Sequence, residues 1–413
     1  MKTDVAIVGA GPAGLSAALY LARRGLGVVV LDEYFRAGGR LAGQLYENPK
    51  KPPGQRLWDG KAIAEKLSGD VKKAGATILT GVSVWEIAPG SGVFISGGPC
   101  QKIAAKAVLI ATGAAERAMP VEGWTIPGVM SAGAAQVFAN VHGVLPGRKV
   151  VMAGIDPLSI TVAGELKKAG VEVVGIFLPP PGILAGSSGL PQWVIGELSR
   201  SADMAPGTFL KMAGKLFGGS YREVGARLCS LAPANIWGIP LHLRKAVIRV
   251  EGEEQVDSVL TARISHDGKI EQEDCRIEAD AVCLSGGLYP LTDLIAAAGC
   301  PLVSMPGLGG MVPLHGPLLQ TQSKGVFLAG SVTGIEGAPV AIAQGHLAGV
   351  SIAAFLGRLG KGNRHELDRA VEMVGQAREE SPLKFYPGAD GARKELAALW
   401  DRWKINSAGG NYA

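Results

Sequence analysis

Two stretches of this chain, 145 residues apart, share one frame. The first is "DVAIVGAGPAGLSAALYLARRGLGVVVLDE", starting at Asp4; the second is "KVVMAGIDPLSITVAGELKKAGVEVVGIFL", starting at Lys149. They align without a gap, matching Gly9 to Gly154, Pro12 to Pro157, Leu21 to Leu166, Gly25 to Gly170 and Val28 to Val173. Each reads as apolar strand, glycine turn, helix and second strand, the opening of a nucleotide-binding α/β unit. A chain that carries this frame twice is expected to build two Rossmann-like domains on parallel sheets.

The first copy has the full chemistry of a dinucleotide site. Gly9, Gly11 and Gly14 form G-x-G-x-x-G, with Pro12 and Ala13 between them. Gly9 permits a tight turn, Gly11 lets backbone approach a pyrophosphate, and Gly14 lets the helix pack close to the strand. The helix then points its positive end at the phosphates. Asp32 ends the second strand 18 residues after Gly14, placed for ribose hydroxyls, with Glu33 beside it. Glycine supplies 60 of the 413 residues, about twice the usual share, as a protein with many close backbone approaches requires.

The second copy keeps the frame and changes the working positions. Gly11 is matched by Asp156, Gly14 by Ser159 and Asp32 by Phe177. A carboxylate at Asp156 repels a pyrophosphate, or it caps the helix and takes the N–H groups a phosphate would bind. Ser159 is expected to loosen helix–strand packing, and Phe177 cannot bind a ribose hydroxyl. This unit is therefore expected not to use NAD(P)H productively.

Further motifs carry a resemblance. "GAGPAG", "DE" at 32–33, "AGGR" at 37–40, "GVSVWEI", "AVLIATGAAERAMPVEGWTIPGVMSAGAAQ" and "GVFLAGSVTGIEGAPVAIAQG" together resemble the two-dinucleotide-binding-domain flavoproteins of glutathione-reductase-like fold. Within them the set is similar to the FAD subunits of opine oxidase, hydrogen cyanide synthase, dye-linked proline dehydrogenase and sarcosine oxidase alpha. The resemblance covers roughly residues 1–358. It implies FAD at the first glycine turn, along Gly38 and Gly39, with Arg40 and Gln44 near a "GGQ"-like position. It also implies a backbone contact to adenine at Val84, a return turn at Ala111, Thr112 and Gly113, and a last FAD segment with Gly330, Ser331, Ala338 and Ala341. Ser331 stands where these relatives usually have Asp.

The fold class expected is α/β, with the second Rossmann-like domain inserted in the first and a helical carboxy-terminal tail. Residues 1–116 and 284–358 form the FAD domain, 117–283 the degenerate second domain, and 359–413 the tail. An insertion from "PPPGILAGSSGLPQ" to "ANIWGIP" reads as helical and loop-rich, and "HLRKAVIRV" with "SVLTARI" as a strand pair. Leu396, Leu399 and Trp400 make an apolar stripe in the tail, either packed on its own domain or open to a partner subunit.

Composition narrows the function classes. The net charge of +5 without a dense Lys/Arg run argues against a nucleic-acid partner. No CxxC occurs among the five cysteines, and no histidine pair has metal-ligand spacing, so neither a redox dithiol nor a metal is expected. His346, after "AQG", reads as a helix or surface histidine rather than a proton shuttle. No apolar run of membrane-spanning length is expected, and the location expected is cytoplasmic. No catalytic side chain stands out, as fits chemistry carried by a flavin. The function expected is an FAD-dependent oxidoreductase subunit of a multi-component amine, amino-acid or hydroxy-acid dehydrogenase. Any iron–sulfur module or partner dehydrogenase would be on another polypeptide. The alternatives are a free-standing NAD(P)H-dependent flavin reductase and a non-catalytic nucleotide-binding scaffold subunit.

Overall fold

A computed structural model of the chain describes residues 1–48, 51–88, 90, 92–182, 185–200, 234–360, 364–381 and 384–409. Most of the insertion between Pro179 and Pro240, residues 201–233, lies outside them. The helices that position the two glycine turns and the tail are α1 (Pro12–Ala22), α2 (Pro157–Lys168), α3 (Ala338–Phe355), α4 (Arg364–Glu380) and α5 (Ala389–Gly409). The chain divides into two compact units, Met1–Ala42 with Asp59–Ala115 and Leu288–Ala413, and Gly43–Trp58 with Glu116–Gly287.

In the first unit, strand Lys2–Val8 lies inside a seven-stranded sheet of the described residues. It pairs in parallel with Val28–Asp32 and with Lys102–Ile110, so Ile7 sits beside Val30 and Leu109. Thr77–Thr80 and Val326–Leu328 extend the parallel part, and Gly92–Ser96 with Ser83–Ala88 add an antiparallel edge. The buried parts of the central strands, residues 5–8, 28–31 and 107–110, are apolar because both faces are covered. Val5 and Ile7 join the core under α1 and α3, while Ala6 and Val8 join the core on the other face.

Helix α3 is long and apolar enough to cross a membrane by length and composition, contrary to the expectation of no such run. Its apolarity has another cause here: 72% of that window is buried inside the protein. A Cβ on Gly345 would run into the backbone of Ala13, so α3 lies directly against α1.

The tail belongs to this unit. Leu396 and Trp400, each 3% exposed, pack with Met305, Leu308, Val312 and Leu314, and Leu399 lies against the same cluster. Ala370 and Val374 of α4 join the core beneath α1 and α3. The tail's apolar stripe is therefore committed to its own unit, not held open for a partner.

The second unit repeats the plan. Its described strands form an eight-stranded sheet in which Val129–Ser131, Ala281–Leu284, Lys149–Ala153, Glu172–Leu178 and Ile239–Glu251 run in that order and in parallel. Ser258–Ile264 and Ile270–Glu278 continue it antiparallel, and the "HLRKAVIRV"/"SVLTARI" pair falls on the expected residues. Segment Gly43–Trp58 packs in this unit, although it lies within the stretch read as FAD domain. The reason is a buried clasp. Glu165 of α2 accepts from Leu45 N, Gln136 Nε2 and Asn140 Nδ2, and Asn140 also donates to the Gly43 carbonyl at 2.7 Å.

Candidate functional site

The glycine turn of the first unit is built from the backbone outward. Gly9 has φ +105°, and a Cβ there would collide with the Ala111 carbonyl. Gly14 is equally constrained, because its Cβ would collide with the Gly9 carbonyl. Gly11 differs: a Cβ there meets nothing within 4 Å, so its glycine keeps space open in front of the turn. Gly11 is also the N-cap of α1, with no side-chain cap and no acid in the first turn. The first N–H groups of α1 are thus offered to an incoming anion.

The surrounding residues brace that turn. Asp32 Oδ2 accepts from Ala10 N at 2.6 Å and Oδ1 from Tyr34 N at 2.9 Å. Gly38 N donates to the Ala10 carbonyl at 2.8 Å, and a Cβ on Gly39 would stand 3.1 Å from Gly11 Cα. Ala111 N donates to Val8 O, the Thr112 hydroxyl to Leu291 O, and Arg40 Nε to Ala114 O at 3.1 Å. Gly113 has φ +78°. A Cβ on Gly330 would lie 3.0 Å from the Ala13 Cβ and 3.8 Å from the Ala341 Cβ, which places the last segment against α1. Ala338 opens α3, Ser331 opens a short 3-10 turn, and Glu33 is exposed beside Asp32.

Gly9, Gly11, Pro12, Ala13, Gly14, Asp32, Gly38, Gly39, Ala111, Gly330 and Ala341 are thus brought together round one open backbone turn. Val84 is half-buried on strand Ser83–Ala88, whose approach is tied to Asp32 by Val82 N donating to Asp32 O. Gln44 falls in the other compact unit, between the anchored Gly43 and Leu45.

The second turn has the same backbone and the opposite electrostatics. Gly154 has φ +113°, and its Cβ would collide with the Ser285 carbonyl, as Gly9 does with Ala111. Here the helix end is filled. Asp156 is the N-cap of α2 and its Oδ1 accepts from Leu158 N at 2.8 Å and Ser159 N at 3.0 Å. Ser159 Oγ accepts in return from Asp156 N at 3.1 Å, closing a capping box. Ser159, in place of the third glycine, is fully buried and its hydroxyl ties the turn shut. Asp156 Oδ2 accepts from Ser285 Oγ at 2.6 Å. Burial pushes the Asp156 carboxyl up, opposed by the bonds from Ser285, Ser159 and Leu158. Phe177, 1% exposed, is core, stacked on His242 with ring centroids 4.4 Å apart.

Sequence reasoning missed Ser285, Glu336 and Gln344. A signal for Ser285 was present: "SGG" at 285–287 stands to Gly154 as "ATG" at 111–113 stands to Gly9, down to the positive φ of Gly287 and Gly113. Gln344 is 1% exposed, and its Oε1 accepts from Gly330 N at 2.8 Å.

The sequence pattern of the pyridine nucleotide-disulphide oxidoreductases matches residues 3–345. The chain belongs to that family. An opine oxidase subunit of Agrobacterium tumefaciens (strain Ach5) is 30% identical over 86% of this chain and 66% of its own length. Hydrogen cyanide synthase subunit HcnB of Pseudomonas protegens is 28% identical over 85% of this chain and 70% of its own. These relatives are named as subunits, and this chain spans about two thirds of their length. In fold, the chain is similar to the L-proline dehydrogenase of P. horikoshii, with a TM-score of 0.60 at 23% identity over 89% of this chain and 59% of that one. The family fold of two Rossmann-like domains is the architecture the glycine repeat implied.

Proposed function

We propose that the chain is the FAD-bearing subunit of a multi-component dehydrogenase acting on an amine, amino acid or hydroxy acid. Electrons would reach the flavin from the substrate or from a partner polypeptide, not from NAD(P)H. The observation that carries this reading is the contrast between two equivalent helix ends. The α1 end is open, uncapped and fronted by Gly11; the α2 end is occupied by Asp156.

The residues round the first turn fit a dinucleotide. Gly11 and the α1 N–H groups would take the pyrophosphate, Gly39 and Gly38 would lie along it, and the Gly330 turn with Ser331 would meet the ribityl chain. Bound there, FAD supplies two-electron acceptance from a substrate C–H bond. Asp32 holds the turn in shape through Ala10 N. The second unit, by this reading, is retained for packing.

Membership of a larger complex is supported by relatives that are themselves named as subunits. Acid precipitation of the purified protein should release FAD, and co-expression with polypeptides encoded beside it should give a stable complex with turnover. Release of FMN or no flavin would overturn the cofactor assignment. Full turnover by the chain alone would overturn the multi-component one.

A further inference from the structure

The segment Gly330–Gly337, "GSVTGIEG", has little intrinsic reason to hold a shape. Gly330 (φ +80°), Gly334 (φ +136°) and Gly337 (φ +95°) all sit in the left-handed region, and glycine gives up the most backbone freedom to be fixed. Backbone bonds from Thr333 N to Gly330 O, Gly334 N to Ser331 O and Ile335 N to Leu308 O fix part of it. A side-chain network from the neighbouring helices adds to them.

Gln344, on α3, accepts at Oε1 from Gly330 N at 2.8 Å and from the Thr333 hydroxyl at 3.3 Å. Its Nε2 donates to Glu336 Oε2 at 3.2 Å. Glu336 then receives two guanidinium groups from the tail. Arg378 of α4 donates from Nε to Oε1 at 2.8 Å and from Nη2 to Oε2 at 3.3 Å. Arg393 of α5 donates from Nε to Oε1 at 2.8 Å and from Nη2 to Oε2. The Glu336 and Arg393 side chains are 10% and 13% exposed. Forked arginine–carboxylate pairs fix orientation as well as distance. One carboxylate thus joins both tail helices to the amide that opens the last glycine turn.

We infer that Glu336 and Gln344 are positioning residues for the dinucleotide, through which α4 and α5 hold the Gly330 turn in the shape that meets the ribityl half of FAD. This deepens the FAD assignment and rests on it. The adenosine half would be held by the Gly9–Gly14 turn and Asp32, which use none of these bonds. The network therefore discriminates between the two halves of one ligand.

The experiment titrates apoprotein with FAD and separately with ADP, by flavin fluorescence and calorimetry. Gln344→Met removes both bonds to the turn without stranding a charge. It should weaken FAD binding about tenfold, the loss expected for a buried hydrogen-bonded link, and leave ADP affinity within about twofold. Glu336→Gln should weaken FAD in the same direction, and the double variant should be less than additive. Arg393→Lys, which keeps the charge but loses the fork, should weaken FAD in the same direction and by less than Glu336→Gln. Unchanged FAD affinity in Gln344→Met overturns the inference. Equal weakening of FAD and ADP overturns it too, since that marks a general loss of folding. If the unaltered apoprotein binds ADP but no FAD, the FAD assignment itself fails.

Discussion

Ser285 donates its hydroxyl to Asp156 Oδ2 at 2.6 Å, at the position where the equivalent first turn has only the Ala111 backbone. With Leu158 N and Ser159 N on Oδ1, the carboxylate completes the helix end that a phosphate would otherwise complete. Asp156→Ala should lower stability by about 1–3 kcal/mol, the cost of an N-cap plus a stranded hydroxyl. Urea unfolding checks it. A variant as stable as the parent would show that the cap contributes nothing.

Gly11 and Gly14 should fail differently. Gly11→Leu has room to be accommodated and fills the cradle, so the protein should fold yet lose its yellow colour. Gly14→Ala drives a methyl into the Gly9 carbonyl and should cost folding first. Circular dichroism and flavin content after gel filtration separate the two. Full flavin retention by folded Gly11→Leu would contradict the placement of the pyrophosphate.

Much of this was legible because glycine spacing and strand apolarity are local. The gapless 145-residue repeat is visible in the order of residues alone, and so is the conflict at Asp156. What was not legible depends on long-range pairing. Arg393 meets Glu336 across 57 residues with no motif between them, and the "SGG" return marks Ser285 as a turn residue without showing that its hydroxyl reaches Asp156, 129 residues away. Ser159 reads in the sequence as a missing glycine, and the capping role of its hydroxyl becomes visible only once the turn is built. Gly43–Trp58 packs with Glu116–Gly287 through such a pairing, between Leu45 and Glu165, 120 residues apart.

Glu165 makes a pH prediction. Burial raises its carboxyl from 4.5 to about 7, against bonds from Gln136, Leu45 and Asn140. Between those values the folded state holds a proton the unfolded state has lost. Stability from this group is therefore greatest at low pH and falls as pH rises from 4.5 to about 7, by about 3 kcal/mol. His315 acts in the opposite sense: burial holds it down to about 4, so its contribution falls as pH drops below 6.5. Comparing melting of the parent with Glu165→Gln across that range isolates the carboxylate. Parallel curves for the two proteins would rule the shift out.

Trp400→Ala should destabilise the first unit by about 3–5 kcal/mol, because the ring sits in the cluster with Leu308 and Val312. Glu395→Ala, on an exposed position of the same helix, should change stability by less than about 0.5 kcal/mol. Thermal melting compares them, and a silent Trp400→Ala would show that the tail does not carry the core.

By the function proposed, one nucleotide site works and its duplicate is closed by Asp156. The direct measurement mixes oxidised, flavin-loaded protein anaerobically with excess NADH, and separately with NADPH, following the visible flavin band. No rapid bleaching is expected with either, while the protein with its partner subunits should bleach on addition of substrate. Rapid, saturable bleaching by NADH or NADPH would contradict it, and would mean that Asp156 gives way to a pyrophosphate.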